Sequence, residues 1–133
     1  MNYIVIKKNL RMRFRYFKYS EFDSPDEPGS GEKYMSDKLI MMLDLVRKDY
    51  GRPIRINSGY RTEAHNAKVG GVADSPHLSG VAVDIKINNS RERYELLASL
   101  LKHNFHRIGI GNTFIHVDID ETKDPDVIWL YNK

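Results

Sequence analysis

Within Phe114-Ile115-His116-Val117-Asp118-Ile119-Asp120 the residues from Ile115 to Asp120 alternate apolar and polar, and no other local feature constrains the fold as much. At a period of two, Ile115, Val117 and Ile119 share one face of a strand, and His116, Asp118 and Asp120 share the other. One face is fit for burial while the other carries imidazole and carboxylate groups. Residues 81–87 repeat the pattern, with Val81, Val83, Ile85 and Ile87 on one face and Ala82, Asp84 and Lys86 on the other. Two half-buried strands of this kind predict an antiparallel sheet with one covered face and one left for chemistry.

The covering elements are legible as helices. Over 36–50, Leu39, Met42, Leu43, Leu45 and Val46 form an apolar stripe that Ser36 or Asp37 can cap and Gly51 can stop. A second helix is predicted from a Ser90 cap to about His103, with Tyr94, Leu96, Leu97, Leu100 and Leu101 inward. A brief one follows a Thr62 cap through Val69 and closes at Gly70-Gly71. Further strands are predicted at 3–6, 53–57, 107–110 and 127–131, with Gly111-Asn112 as a two-residue hairpin linker before 113–119. Phe14, Tyr16, Phe17, Tyr19 and Phe22 read as an aromatic arm packed on the domain, and the Pro- and Gly-rich 23–31 as a loop without regular structure. With 133 residues there is room for one core. The expected fold is therefore α+β: a single small domain over 1–133 with a mainly antiparallel sheet and helices packed on one side, residues 1–34 being laid against it.

The chain has no cysteine, which removes disulfide scaffolds, thiol catalysis and cysteine-held metals. A net charge of +3 favours an anionic partner without identifying one. The cluster Lys7, Lys8, Arg11, Arg13, Arg15 and Lys18 reads either as a solvated face or as an attraction to nucleic acid or an anionic wall. No apolar run approaches a membrane span, and 3–6 is too short for the core of a signal peptide. The expectation is a chain that encodes no export route of its own.

Any metal must therefore sit on His, Asp or Glu. His77 precedes Asp84 within a Gly80-containing segment, and His116 lies on the alternating strand. Two imidazoles and a carboxylate make a catalytic zinc set that leaves the fourth tetrahedral position to water. A strand histidine also serves as a satisfied structural residue, and the residues alone leave both readings open. Gly80 suits either a close approach of backbone to a metal or a simple turn. His65 reads as helix surface, His103 as a helix-end imidazole favoured by the dipole, and His106 as chemically idle. Asp120, Asp124 and Asp126 read as solvated acids, and Trp129 as core, groove wall or cleft lining.

Taken together, Ser58-Gly59-Tyr60-Arg61-Thr62, His65-Asn66, Val69-Gly70-Gly71, the Ser-x-His-x-x-Gly-x-Ala-x-Asp pattern from Ser75 to Asp84, and Phe114-Ile115-His116-Val117-Asp118 resemble the zinc D-alanyl-D-alanine carboxypeptidase family. This group of bacterial and phage peptidoglycan peptidases includes D-Ala-D-Ala dipeptidases and L-alanyl-D-glutamate endolysins. The likeness extends more weakly from about Phe17 to Trp129. It implies a small α+β fold with one Zn2+ per chain on the open sheet face, held by His77, Asp84 and His116. It implies hydrolysis of peptidoglycan stem peptides through a metal-activated water. Arg61 matches a family arginine that binds a substrate carboxylate or steadies an oxyanion, as a planar guanidinium can. Ser75 matches a substrate hydrogen-bonder, with a turn or capping role as the other reading.

Many relatives carry an acid or a histidine two or three positions before the final ligand, where this chain has Phe114 and Thr113. Asp118 is the replacement candidate for the general base, about 7 Å along the strand from His116; otherwise it orients a ligand imidazole. The implied partners are stem peptides, with no nucleic acid and no membrane, and a monomer as the default. Absence of an export signal fits phage-type release to the wall or separate export. Two alternatives remain: a zinc-containing wall-binding module without catalysis, and a basic nucleic-acid binder.

Overall fold

Capping chemistry decides where the helices begin. In the computed structural model, which describes residues 13–131, the α-helices are α1 (Ser30–Tyr34), α2 (Asp37–Tyr50), α3 (Glu63–Lys68) and α4 (Ser90–Lys102). Ser36 accepts the amide of Leu39 at the start of α2, and Thr62 accepts that of His65 at the start of α3. Each satisfies a first-turn donor that the helix itself cannot. At α4 the cap is Asn89, accepting from the Glu92 amide, and the expected cap Ser90 is the first helical residue instead.

The loop expected over 23–31 is also corrected at its end. The Asp23 carboxylate takes the amides of Gly29 and Gly31, so Ser30 and Gly31 enter α1. The strand expected at 3–6, with Lys7, Lys8 and Arg11, lies outside the described residues.

The strands are β1 (Ile56–Ser58), β2 (Ala82–Lys86), β3 (Arg107–Ile110), β4 (Phe114–Asp118) and β5 (Val127–Leu130), in the spatial order β1-β2-β4-β3-β5. Among the described residues only β3 and β5 pair in parallel, so the mainly antiparallel α+β expectation holds. The strand expected over 53–57 is displaced to Ile56–Ser58; Pro53 has no amide to give a ladder.

Val83 and Ile85 lie across from Val117 and Ile115. With Ile108 they meet Leu39, Ile40, Leu43 and Val46 of α2 and Leu96 and Leu100 of α4 in one core. Each such side chain contributes roughly 1.5–3 kcal/mol by leaving water. That holds the strand register, because a slip of one residue would exchange the two faces. The same register turns Asp84, His116 and Asp118 to the face away from the core.

Phe17 and Phe22 of the aromatic arm are buried in the core, and Phe14, Tyr16 and Tyr19 pack against that core, partly buried. The helical stripes are narrower than expected. Leu45, Tyr94 and Leu101 are at least half exposed, while Ile40 is fully buried. Only the arc of each helix that faces the sheet is covered.

Two irregularities aim the site. Ile56 pairs with Ile85 and Ser58 with Asp84, so Asn57 is an extra residue on the edge strand. Such a bulge bends the chain, here towards Gly59-Tyr60-Arg61. In the hairpin, the Gly111 amide donates to the Phe114 carbonyl at 2.9 Å. The tight turn is thus Asn112-Thr113 rather than Gly111-Asn112. This register sets Gly109 opposite His116 and brings Arg107 across from Asp118.

Gly80 ties α1 and α2 to the segment between His77 and Asp84. It has φ +70°, and a Cβ built there would lie 2.1 Å from the Tyr34 carbonyl oxygen; its own carbonyl accepts the Ser36 amide. Gly80→Ala is expected to destabilise the fold by more than the roughly 1–2 kcal/mol of left-handed backbone alone. A lowered midpoint in chemical denaturation would register it, and an unchanged midpoint would refute it.

Candidate metal centre

Antiparallel pairing of β2 with β4 makes Asp84 and His116 cross-strand neighbours, and a 3-10 turn, Pro76–Ser79, delivers His77 to them. Asp84 Oδ1 lies 2.8 Å from His116 Nδ1 and 3.3 Å from His77 Nε2. One potential ligand atom from each residue falls within 4.8 Å of the other two. Tetrahedral zinc with bonds of roughly 2.0–2.1 Å needs donors about 3.3 Å apart, which these three reach by small side-chain movements.

Ring orientation is set from behind. His77 Nδ1 faces the Gly59 carbonyl at 2.7 Å, so a proton there leaves Nε2 free to ligate. His116 Nε2 faces Asp118 Oδ2 at 2.7 Å, so a proton there frees Nδ1. Burial alone would raise the pKa of Asp84, but hydrogen bonds to His116 and His77 and their charge hold it well below the usual carboxylate range. Burial would likewise lower His116, yet hydrogen bonds to Asp118 and Asp84 carry it above the ordinary histidine value. Two carboxylates around one buried imidazole favour positive charge at this point, which is the demand a divalent cation meets. Donor set and electrostatics both fit zinc.

The Arg61 guanidinium lies beside this group, held by three acceptors. Nε donates to Ser58 Oγ at 2.9 Å, Nη1 to Asn66 Oδ1 at 3.2 Å and Nη2 to Asp84 Oδ2 at 3.2 Å. Of its five N–H groups two are left over. Ser75 Oγ accepts the His77 amide at 3.3 Å and so caps the turn, and the residue also lines the cleft. The hydrogen bond is that of the capping reading, and the place in the cleft wall puts the residue near the His77 group. Asp118 has no exposed side-chain surface; its Oδ1 accepts from Arg107 Nε at 2.7 Å and from the Asp120 amide at 3.1 Å.

Arg61, Ser75, His77, Asp84, His116 and Asp118 line a cleft of about 450 Å³, whose wall also includes Val72, Phe114, Lys123, Trp129 and Tyr131. Trp129 is 5.5 Å from the His116 ring and sits over Gly109, where a Cβ would come within 2.6 Å of the indole nitrogen. Gly109 thus makes room for the indole. The other histidines stay apart from the cleft: His103 faces Asp49 at 3.5 Å and His106 faces Asp126 at 2.8 Å.

Sequence reasoning overlooked Arg107 and Asn66. Buried Asn66 donates to the Val72 carbonyl at 2.8 Å and so links the cleft rim to Arg61. Its one sequence signal was a place in the His65-Asn66 motif. Arg107 was hidden by the assumed hairpin turn, since that register does not set it opposite Asp118.

A family model described as Peptidase M15 matches residues 15–118, a span that contains His77, Asp84, His116 and Asp118. No curated protein matches the chain.

Proposed function

The chain belongs to the peptidase M15 family, and from that premise we propose that it is a zinc-dependent hydrolase of peptidoglycan stem peptides. It acts either as a D,D-carboxypeptidase or as an endopeptidase of the L-Ala-D-Glu type, as a monomer, without nucleic acid or membrane. The observation that carries this reading is the His77, Asp84 and His116 group in the wall of one cleft. In it His77 Nε2, His116 Nδ1 and Asp84 are the ligands. Zinc held there would supply a nucleophilic water near neutral pH and polarise the scissile carbonyl.

The chain's own residues supply the remainder. Arg61 offers its two spare N–H groups beside Asp84, where they meet negative charge developing on the carbonyl oxygen. Asp118 keeps the proton of His116 on Nε2. Its oxygens are already taken by His116, Arg107 and the Asp120 amide, so of the two sequence readings we take the orienting one over the base. In the overall reaction the hydroxyl of the water would join the acyl carbon, the C–N bond would break and the remaining proton of the water would end on the leaving amine.

A specific observation favours a second reading. The acids lining the cleft among the described residues are Asp84 and Asp118, both paired, and Thr113 and Phe114 bring no other. A module that holds zinc and binds the wall without cutting it would look the same.

The test is mass spectrometry of products from purified sacculi and synthetic stem peptides, with zinc and with a chelator. Release that stops with the chelator and returns with zinc is the expected result, and the product masses name the bond. A zinc-loaded chain that binds sacculi but releases nothing establishes the second reading. Salt-sensitive binding to DNA, indifferent to chelator, would instead restore the nucleic-acid reading.

A further inference from the structure

The geometry points to Arg107 as a positioning residue of the metal centre: it holds the Asp118 carboxylate against Nε2 of His116, so that His116 turns Nδ1 towards Asp84 and His77. This rests on the metal reading of that group. Arg107 stands on β3 directly across from Asp118, and its side chain is only 12% exposed. Nε donates to Asp118 Oδ1 at 2.7 Å, and Nη1 donates to the Asp124 carbonyl. The guanidinium lies over the Trp129 ring at 5.1 Å, and that indole in turn packs beside His116. The guanidinium is therefore held at Nε, at Nη1 and across its face.

The physical need for it follows from charge. His116 lies between two carboxylates, Asp84 at Nδ1 and Asp118 at Nε2. Each carboxylate has its own arginine, Arg61 for Asp84 and Arg107 for Asp118. A buried carboxylate without a cation is costly to keep ionised and oriented. With Oδ1 fixed by Arg107, Oδ2 has one place to go, which is the His116 proton. Removing Arg107 leaves Asp118 Oδ1 with the Asp120 amide alone and frees the carboxylate to rotate. The partner that selects the imidazole's tautomer is then held less firmly, and the fraction of chains presenting Nδ1 as a lone pair falls. Partners of this kind, one step behind a ligand, change metal affinity by about 10–100-fold.

Zinc affinity of the full chain, measured by competition with a chromophoric chelator, tests the assignment without recourse to activity. Arg107→Gln is expected to weaken zinc about tenfold, at the low end of that range. Arg107→Lys, which keeps the charge but not the fork, is expected to fall between Arg107→Gln and the wild type. Asp118→Asn should weaken zinc as well, and adding Arg107→Gln to it should cost little more, because both act through one carboxylate. Circular dichroism of each variant confirms the fold, and Arg107→Lys keeps the test sharp should Arg107→Gln fail to fold. Wild-type zinc affinity in folded Arg107→Gln, or losses that simply add in the double variant, would overturn the proposal while leaving the peptidase reading intact. A wild type that holds zinc but cleaves nothing ends the peptidase reading and leaves this one standing, and a wild type that takes up no zinc ends both.

Discussion

His77→Ala is expected to release wall peptides no faster than the chelator-treated wild type, a loss of more than about 10³-fold, and to hold far less than one zinc per chain. The size of the effect follows from what the metal supplies. Zinc lowers the pKa of a bound water to about 7 and so would be the main source of nucleophile at neutral pH, and a site reduced to Asp84 and His116 is not expected to retain it. His77 is also 2% exposed, and its Nδ1 meets the Gly59 carbonyl. Removal therefore leaves a small void and an unpaired acceptor, at a stability cost of about 1–3 kcal/mol. That cost lowers the unfolding midpoint without unfolding the chain, which circular dichroism can verify alongside zinc analysis and product release. Full activity in a folded, zinc-poor His77→Ala would sink the metallopeptidase reading.

Arg61→Ala carries the second large effect, a fall in kcat of about 10²–10³-fold, the range seen when one oxyanion donor is removed. Position argues for kcat over KM. The guanidinium touches Asp84 at 3.2 Å, so a carbonyl bound at the proposed metal would lie beside its spare N–H groups rather than at a remote subsite. A residue that only captured a terminal carboxylate would raise KM and leave kcat alone, and its loss would be mimicked in the wild type by amidating the substrate. Arg61→Lys should recover little. A single ammonium cannot reach Ser58, Asn66 and Asp84 together. Zinc content, measured in parallel, separates this effect from loss of the metal; a rise in KM with kcat unchanged would transfer Arg61 to carboxylate binding.

Much of the fold and of the site was legible before any coordinates. Ser36 and Thr62 announced the starts of α2 and α3, because a cap acts over three residues and needs no distant partner. Where the cap came from further away, as with Asp23 for α1, the local reading saw only a loop. The exposure of Tyr94 and Leu101 was equally out of reach, since an apolar stripe does not say how much of a helix its neighbour covers.

The sequence by itself determined that two alternating strands carry Asp84, His116 and Asp118 on a face away from the core, because a period of two is a local property of the extended chain. Only the tertiary structure decided what those groups do to one another. The turn at Asn112-Thr113 set Arg107 opposite Asp118, and the bulge at Asn57 led Arg61 to Asp84. Both depend on cross-strand register, which is chosen by burial of the opposite face and by hydrogen bonds between residues far apart in the chain. The orientation of each imidazole was decided in the same way, by an acceptor that no spacing in the sequence could reveal.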